Sequence, residues 1–206
     1  MNAVAKEAAV VHLVDDDDSL RKALSRVLNA AGHEVRTYAS AADFLLEREG
    51  APRGCLVLDV RMPGGPSGLE LQRALARQGA SMPVIFLTGH GDIPMSVQAI
   101  KDGAHDFLTK PVERAALLAS VASAMASAEA EEGRHLRKRE VTRRIGKLTP
   151  SERKVFVQVV RGQANKQIAA DLGCSERTVK AHRAQVMAKM EASSLADLVH
   201  QADLMG

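Results

Sequence analysis

Apolar and polar positions change period in a regular way along the chain. Residues 9–14 (AVVHLV) form a mostly apolar run that predicts a buried strand, ending on Asp15, Asp16, Asp17 and Asp18. Leu20, Ala23, Leu24, Val27, Leu28 and Ala31 follow at helical spacing, and Gly32 supplies a stop. Residues 34–38 alternate polar and apolar, as a strand near a sheet edge does, and residues 40–47 read as a second helix. Cys55-Leu56-Val57-Leu58 is a continuous apolar run that ends on Asp59, with Met62-Pro63 and two glycines beyond it. A helix is predicted over 67–78, a fourth strand over 83–88 (PVIFLT), a helix over 93–102 stopped by Gly103, and a short strand over 106–108 before Lys110-Pro111. A further helix starts near Glu113.

Strand and helix thus alternate five times, which argues for a parallel sheet with helices on both faces. Apolar runs without alternation fit strands covered on both sides. Beyond Ala115 the pattern is helical throughout. Leu117, Leu118, Val121 and Met125 form an apolar stripe that fades near Ala128, so residues 125–147 read as a helical linker. Thr149-Pro150-Ser151-Glu152 is a capping box with Pro at the first helical position. Helices are predicted over 165–172 and 176–190, joined by Gly173-Cys174-Ser175, and a last one follows Ser194 with Leu195, Leu198 and Val199. A short helix, a tight turn with Gly and a longer basic helix make a helix-turn-helix arrangement. The expected organisation is therefore an α/β domain over 1–124, a linker over 125–147 and an all-α domain over 148–206.

Charge supports two tasks. Residues 1–127 carry 13 Lys and Arg against 15 Asp and Glu, and residues 128–206 carry 15 against 10. The basic second part suits a polyanion. Aromatic residues are 2% of the chain and Trp is absent, which argues against a base-stacking surface for single strands. Cys55 and Cys174 form no metal-ligand spacing, and no stretch is long and apolar enough to span a bilayer; a reduced cytoplasmic chain is the expectation.

The chemistry gathers at strand ends. Asp15 and Asp16 follow strand one, Asp59 ends strand three, Thr88 ends strand four and Lys110 follows strand five. In a flavodoxin-like order 2-1-3-4-5 these ends line one crevice, where open parallel sheets place their ligands. Clustered carboxylates call for a cation, and Mg²⁺ (or Mn²⁺) binds through carboxylates and phosphate oxygens. Asp59 is the candidate phosphoryl acceptor, Lys110 the partner of a phosphate oxygen and Thr88 a hydrogen-bond donor to one. Each residue alone has an ordinary reading, as a helix cap, a solvated cation or a strand end. Their joint placement favours a site.

The motifs VDDDDS, LVLDVRMP, VIFLTGHGD and DFLTKP, in that order, resemble a response-regulator receiver domain. LTPSERKV and NKQIAADLGCSERTVKAHRAQVMAKM resemble a LuxR-type helix-turn-helix domain. The pairing is similar to the FixJ branch of the NarL/FixJ family. The resemblance implies phosphorylation of Asp59 by a sensor histidine kinase, a metal held by Asp16 and Asp59 with Asp15 acting through water and the Arg61 carbonyl as a further ligand, and a switch pair in Thr88 and Phe107. It also implies a cis Lys110-Pro111 bond, a homodimer on phosphorylation, binding to double-stranded DNA and contact with RNA polymerase. The loop over 63–68 is one residue longer than the family spacing.

By the same resemblance the helix over 176–190 enters the major groove. Lys180 is the main base-edge candidate, Ala181 and Ala184 can touch thymine methyls, and Arg177, Arg183 and Lys166 lie nearer phosphates. Thr178 completes the expected contact set. The rival class is an enzyme that uses Asp59 on an external substrate. Val60 and Arg61 after Asp59, and the absence of a cap-sized insertion, disfavour it. A module that no longer accepts phosphate is disfavoured by the intact Asp15, Asp16, Asp59, Thr88 and Lys110. The expected role is a phosphorylation-controlled transcription regulator, self-phosphorylating and able to lose its phosphate, not an enzyme acting on other substrates.

Overall fold

The structure is a computed structural model, and it describes residues 9–47, 53–63, 65–89 and 99–205. The chain divides into two compact units, one up to Glu131 and one from Glu132.

The first unit is built on strands β1 (Val10–Val14), β2 (Glu34–Tyr38), β3 (Gly54–Asp59), β4 (Val84–Thr88) and β5 (Asp106–Thr109). They form one parallel sheet in the order β2-β1-β3-β4-β5. β1, β3 and β4 are buried at every position, as their unbroken apolar runs require, whereas β2 lies at the edge and is largely exposed. Helices α1 (Asp18–Ala30), α2 (Ala41–Glu47) and α3 (Gly68–Arg77) alternate with the strands. One face of the sheet packs Phe44, Leu56, Leu58, Leu71 and Phe86; the other packs Leu13, Leu28, Val57, Ile85 and Leu87 with Leu117 and Val121. The predicted helix over 93–102 lies mostly outside the described residues; 99–101 are helical and Ala99 is buried. Ala23 and Ala31, read as part of the apolar stripe of α1, are exposed, and Leu24 and Leu28 carry its contact.

Helix α4 (Arg114–Gly146) gives Leu117, Val121 and Ala124 to the first core. Its last turns give Val141 and Ile145 to the second. The second unit adds α5 (Pro150–Val160), α6 (Asn165–Leu172), α7 (Glu176–Met190) and α8 (Leu195–Asp203) around Val155, Phe156, Ile168, Val179, Val186, Met190 and Leu198. The local signals do what their chemistry predicts. Thr149 and Glu152 form a reciprocal capping box with Pro150 at the helix start. Gly173 takes the left-handed conformation (φ 63°) that ends α6, and Ser175 caps α7 by accepting from the Thr178 N–H. Leu195, expected to pack beside Leu198, is exposed instead, because it is the first residue of α8 and precedes the turn that meets the core.

Candidate functional site

Parallel register brings the strand ends together: Val14 pairs with Leu58, Asp59 with Leu87, and Thr88 with Thr109. Asp15 leaves β1 fully buried, while Asp16 beside it is exposed. One oxygen from each of Asp15, Asp16 and Asp59 lies within 4.8 Å of the others. Lys110 is joined to Pro111 by a cis peptide bond, and its Nζ donates to Asp15 Oδ2 at 2.8 Å and to Asp59 Oδ2 at 2.7 Å. Burial pushes the Asp15 carboxyl above the usual carboxylate range, with Lys110 opposing. Burial works against the charged form of Lys110, but its bonds to Asp15 and Asp59 hold the ammonium above its ordinary value.

Several contacts fix these groups. The Asp17 N–H donates to Asp15 Oδ1 at 2.9 Å, and Asp17 in turn caps α1 by accepting from Ser19 and Leu20. The Arg61 N–H donates to Asp59 Oδ1 at 3.2 Å. Gly68 opens α3 so close beneath β3 that a Cβ there would lie 2.3 Å from the Asp59 carbonyl oxygen. Thr88 is buried and its hydroxyl donates to the Gly89 carbonyl at 3.1 Å. Phe107 is half-buried, with its ring centroid 6.0 Å from that of Phe86. Sequence reasoning missed Arg21, whose guanidinium donates to the Asp15 carbonyl at 2.6 Å and pairs with Asp18 at 2.9 Å. Its place four residues after the capping Asp17 is the signal that marks it, since one helical turn returns it to the β1 end.

On the second unit, α7 leaves Arg177, Thr178, Lys180, Ala181 and Ala184 exposed, and Lys166 is exposed on α6. Arg183 is half-buried and donates to Asn165 Oδ1 at 2.8 Å, tying α7 to the start of α6. Lys189 pairs with Glu152 at 2.7 Å and His182 is half-buried, so both belong to the inner flank of the helix.

A family model described as the response regulator receiver domain matches residues 11–122. The chain belongs to the response-regulator family. A second model, for bacterial regulatory proteins of the luxR family, matches residues 146–202 of the regulator. The regulator is 49% identical over 201 residues to the transcriptional regulatory protein FixJ of Azorhizobium caulinodans, covering 97% of this chain and 94% of the relative. It is 42% identical over 196 residues to the response regulator protein TodT of Pseudomonas putida, covering 95% and 86%. Its structure is similar to that of the response regulator StyR, with a TM-score of 0.82 and 42% identity over 95% of this chain and 98% of that one. The regulator is thus a DNA-binding transcriptional regulator of a two-component system, with a histidine kinase and DNA as its partners. Its family consists of transcription regulators, and its acidic cluster has the donors to hold a metal ion. Among the described residues, no helix is long and apolar enough to cross a membrane.

Proposed function

We propose that Asp59 is the phosphoryl acceptor of this regulator and that its phosphorylation controls receiver pairing and DNA binding. The observation that carries the reading is the Lys110 ammonium held between Asp15 and Asp59, with Asp16 alongside, at the mouth of the sheet. Asp59 is nearly buried but keeps its carboxylate at the crevice. One of its oxygens attacks phosphorus as the bond to the kinase's phosphohistidine nitrogen breaks, giving an aspartyl phosphate. Lys110 then exchanges its carboxylate partners for a phosphoryl oxygen. The Thr88 hydroxyl turns from the Gly89 carbonyl toward another. Phe107 follows by moving into the space beside Thr88.

The donor set is all oxygen and anionic, which suits a hard divalent cation. Asp16 and Asp59, the Arg61 carbonyl and Asp15 through water would hold Mg²⁺ or Mn²⁺, which when bound supplies positive charge opposite the incoming phosphoryl oxygens. Loss of the phosphate by hydrolysis resets the switch. The receiver occupies residues 1–124, a helical linker 125–147 and the DNA-binding domain 148–206 in this reading. The protein works in the cytoplasm, as a homodimer when phosphorylated, and meets RNA polymerase at promoters. Two weak half-site contacts joined by receiver pairing account for tighter DNA binding.

α7 supplies most of the DNA contacts, with Lys180 at a base edge, Ala181 and Ala184 against thymine methyls, and Arg177, Thr178 and Arg183 toward phosphates, joined by Lys166 from α6. Binding to duplexes enriched from a random pool, with Mg²⁺ alone and with beryllium fluoride added, tests the reading. Tighter binding only with the fluoride, absent in Asp59→Asn, is the expected result. Binding indifferent to the fluoride refutes the switch, and binding in neither state refutes the DNA assignment.

A further inference from the structure

The exposed face of α7 contains a group that the contact set above leaves out. Looking down the helix, Arg177, Ala181, Ala184 and Ala188 form the centre of the exposed face. Lys180 lies on one border and Thr178 with Gln185 on the other. Three alanines along the centre remove side-chain bulk, so the backbone can approach base edges closely. The longer side chains on the two borders then straddle that approach.

Gln185 differs from the other glutamines of its unit. Gln158, Gln163 and Gln201 have buried side-chain oxygens, and Gln167 accepts from the Ala164 N–H at the start of α6. Gln185 is exposed, and its carboxamide has no protein partner among the described residues. Lys189, one turn further on, is drawn back by Glu152. No acidic residue stands on the face between Arg177 and Ala188. A carboxamide presents a donor and an acceptor side by side, the pattern that matches N7 and N6 of adenine in the major groove.

We infer that Gln185 is a specificity-determining residue that reads an adenine on the border of α7 opposite Lys180. The inference rests on the DNA-binding reading of α7. Five residues of helix separate Lys180 from Gln185, a rise of about 7.5 Å. At roughly 3.4 Å per base pair along one strand, the two residues address positions about two base pairs apart.

The test is sequence enrichment from a random duplex pool by the full chain with Mg²⁺ and beryllium fluoride, for wild type, Lys180→Ala, Gln185→Ala and Gln185→Arg. Wild type is expected to select adenine at one position by about tenfold or more, the scale of a bidentate base contact. Gln185→Ala is expected to lose that preference alone, with affinity for random DNA and its salt dependence unchanged. Gln185→Arg is expected to move the same position to guanine. The position should lie about two base pairs from the one that relaxes in Lys180→Ala. An unchanged consensus in Gln185→Ala overturns the inference while leaving the DNA reading standing. So does a loss of affinity that is uniform across sequences, which marks a phosphate contact. A wild-type chain that enriches no sequence overturns the DNA reading and this inference with it.

Discussion

His12 offers a pH-dependent contribution to stability that the structure allows to be worked out. It sits in the middle of β1 at 3% exposure, with Nδ1 3.1 Å from the Tyr38 hydroxyl. Its ring stacks on Tyr38 and meets the edge of Phe44. Burial, helped by the nearby charge of Arg36 and opposed by the Arg53 backbone, lowers its pKa from 6.5 to about 4. Between those values the unfolded chain binds the proton and the folded chain does not. The contribution is therefore present above the unfolded value and is lost as pH falls from 6.5 toward 4. At 1.36 kcal/mol per pKa unit the whole loss is about 3 kcal/mol, of which about 2 kcal/mol falls between roughly pH 7 and pH 5. Tyr38 is the single tyrosine and the chain has no tryptophan, so tyrosine fluorescence during urea unfolding follows the first unit alone. The raised pKa of Asp15 acts with the opposite sign, which makes the comparison with His12→Gln the decisive quantity. Wild type should lose about 2 kcal/mol more than His12→Gln over that interval. Parallel losses in the two proteins would refute the assignment of a neutral, buried His12.

Other consequences are as direct. Gly68→Ala places a Cβ against the Asp59 carbonyl, so α3 must shift; a loss of about 1–3 kcal/mol is expected. Labelling of Asp59 by acetyl phosphate should slow with it, and unchanged stability and labelling would show that the contact relaxes freely. Ser175→Ala removes the side-chain cap of α7 at a cost of about 1 kcal/mol, with Ser175→Asp retaining most of it. The loss should appear in far-ultraviolet circular dichroism of the full chain while the tyrosine transition stays in place, and a shift of the tyrosine transition would contradict the division into units.

Much of this molecule was legible before its coordinates. The buried strands announce themselves because apolar runs such as Cys55–Leu58 have no polar face to offer, and Gly32, Thr149 and Ser175 mark helix ends through backbone chemistry that does not depend on tertiary context. The convergence of Asp15, Asp59, Thr88 and Lys110 followed once a strand order was assumed, since a parallel sheet puts every carboxyl end on one side. What stayed hidden depends on packing. Ala23 and Leu195 fit the helical period yet face solvent, because period alone does not say how wide the covered stripe is. The reach of Arg21 back to the Asp15 carbonyl is likewise a tertiary fact. Val141 and Ile145, isolated among arginines and lysines, gave too sparse a stripe to be read as core.

That last point bears on how the DNA-binding unit can be isolated. The luxR-family match begins at residue 146, which invites excision there. Such a fragment would discard Val141 from the core of the unit. It would also discard Arg144, whose guanidinium donates to the Met190 carbonyl at 2.9 Å and pairs with Glu191 at 2.9 Å, where Glu191 ends α7 at a φ of 53°. Without that clamp the left-handed turn after α7 would have no charged partner on its outer side. A fragment meant to report the intrinsic affinity of this unit has to start at Glu132 or earlier, and one cut at the family boundary would measure the cost of a missing wall.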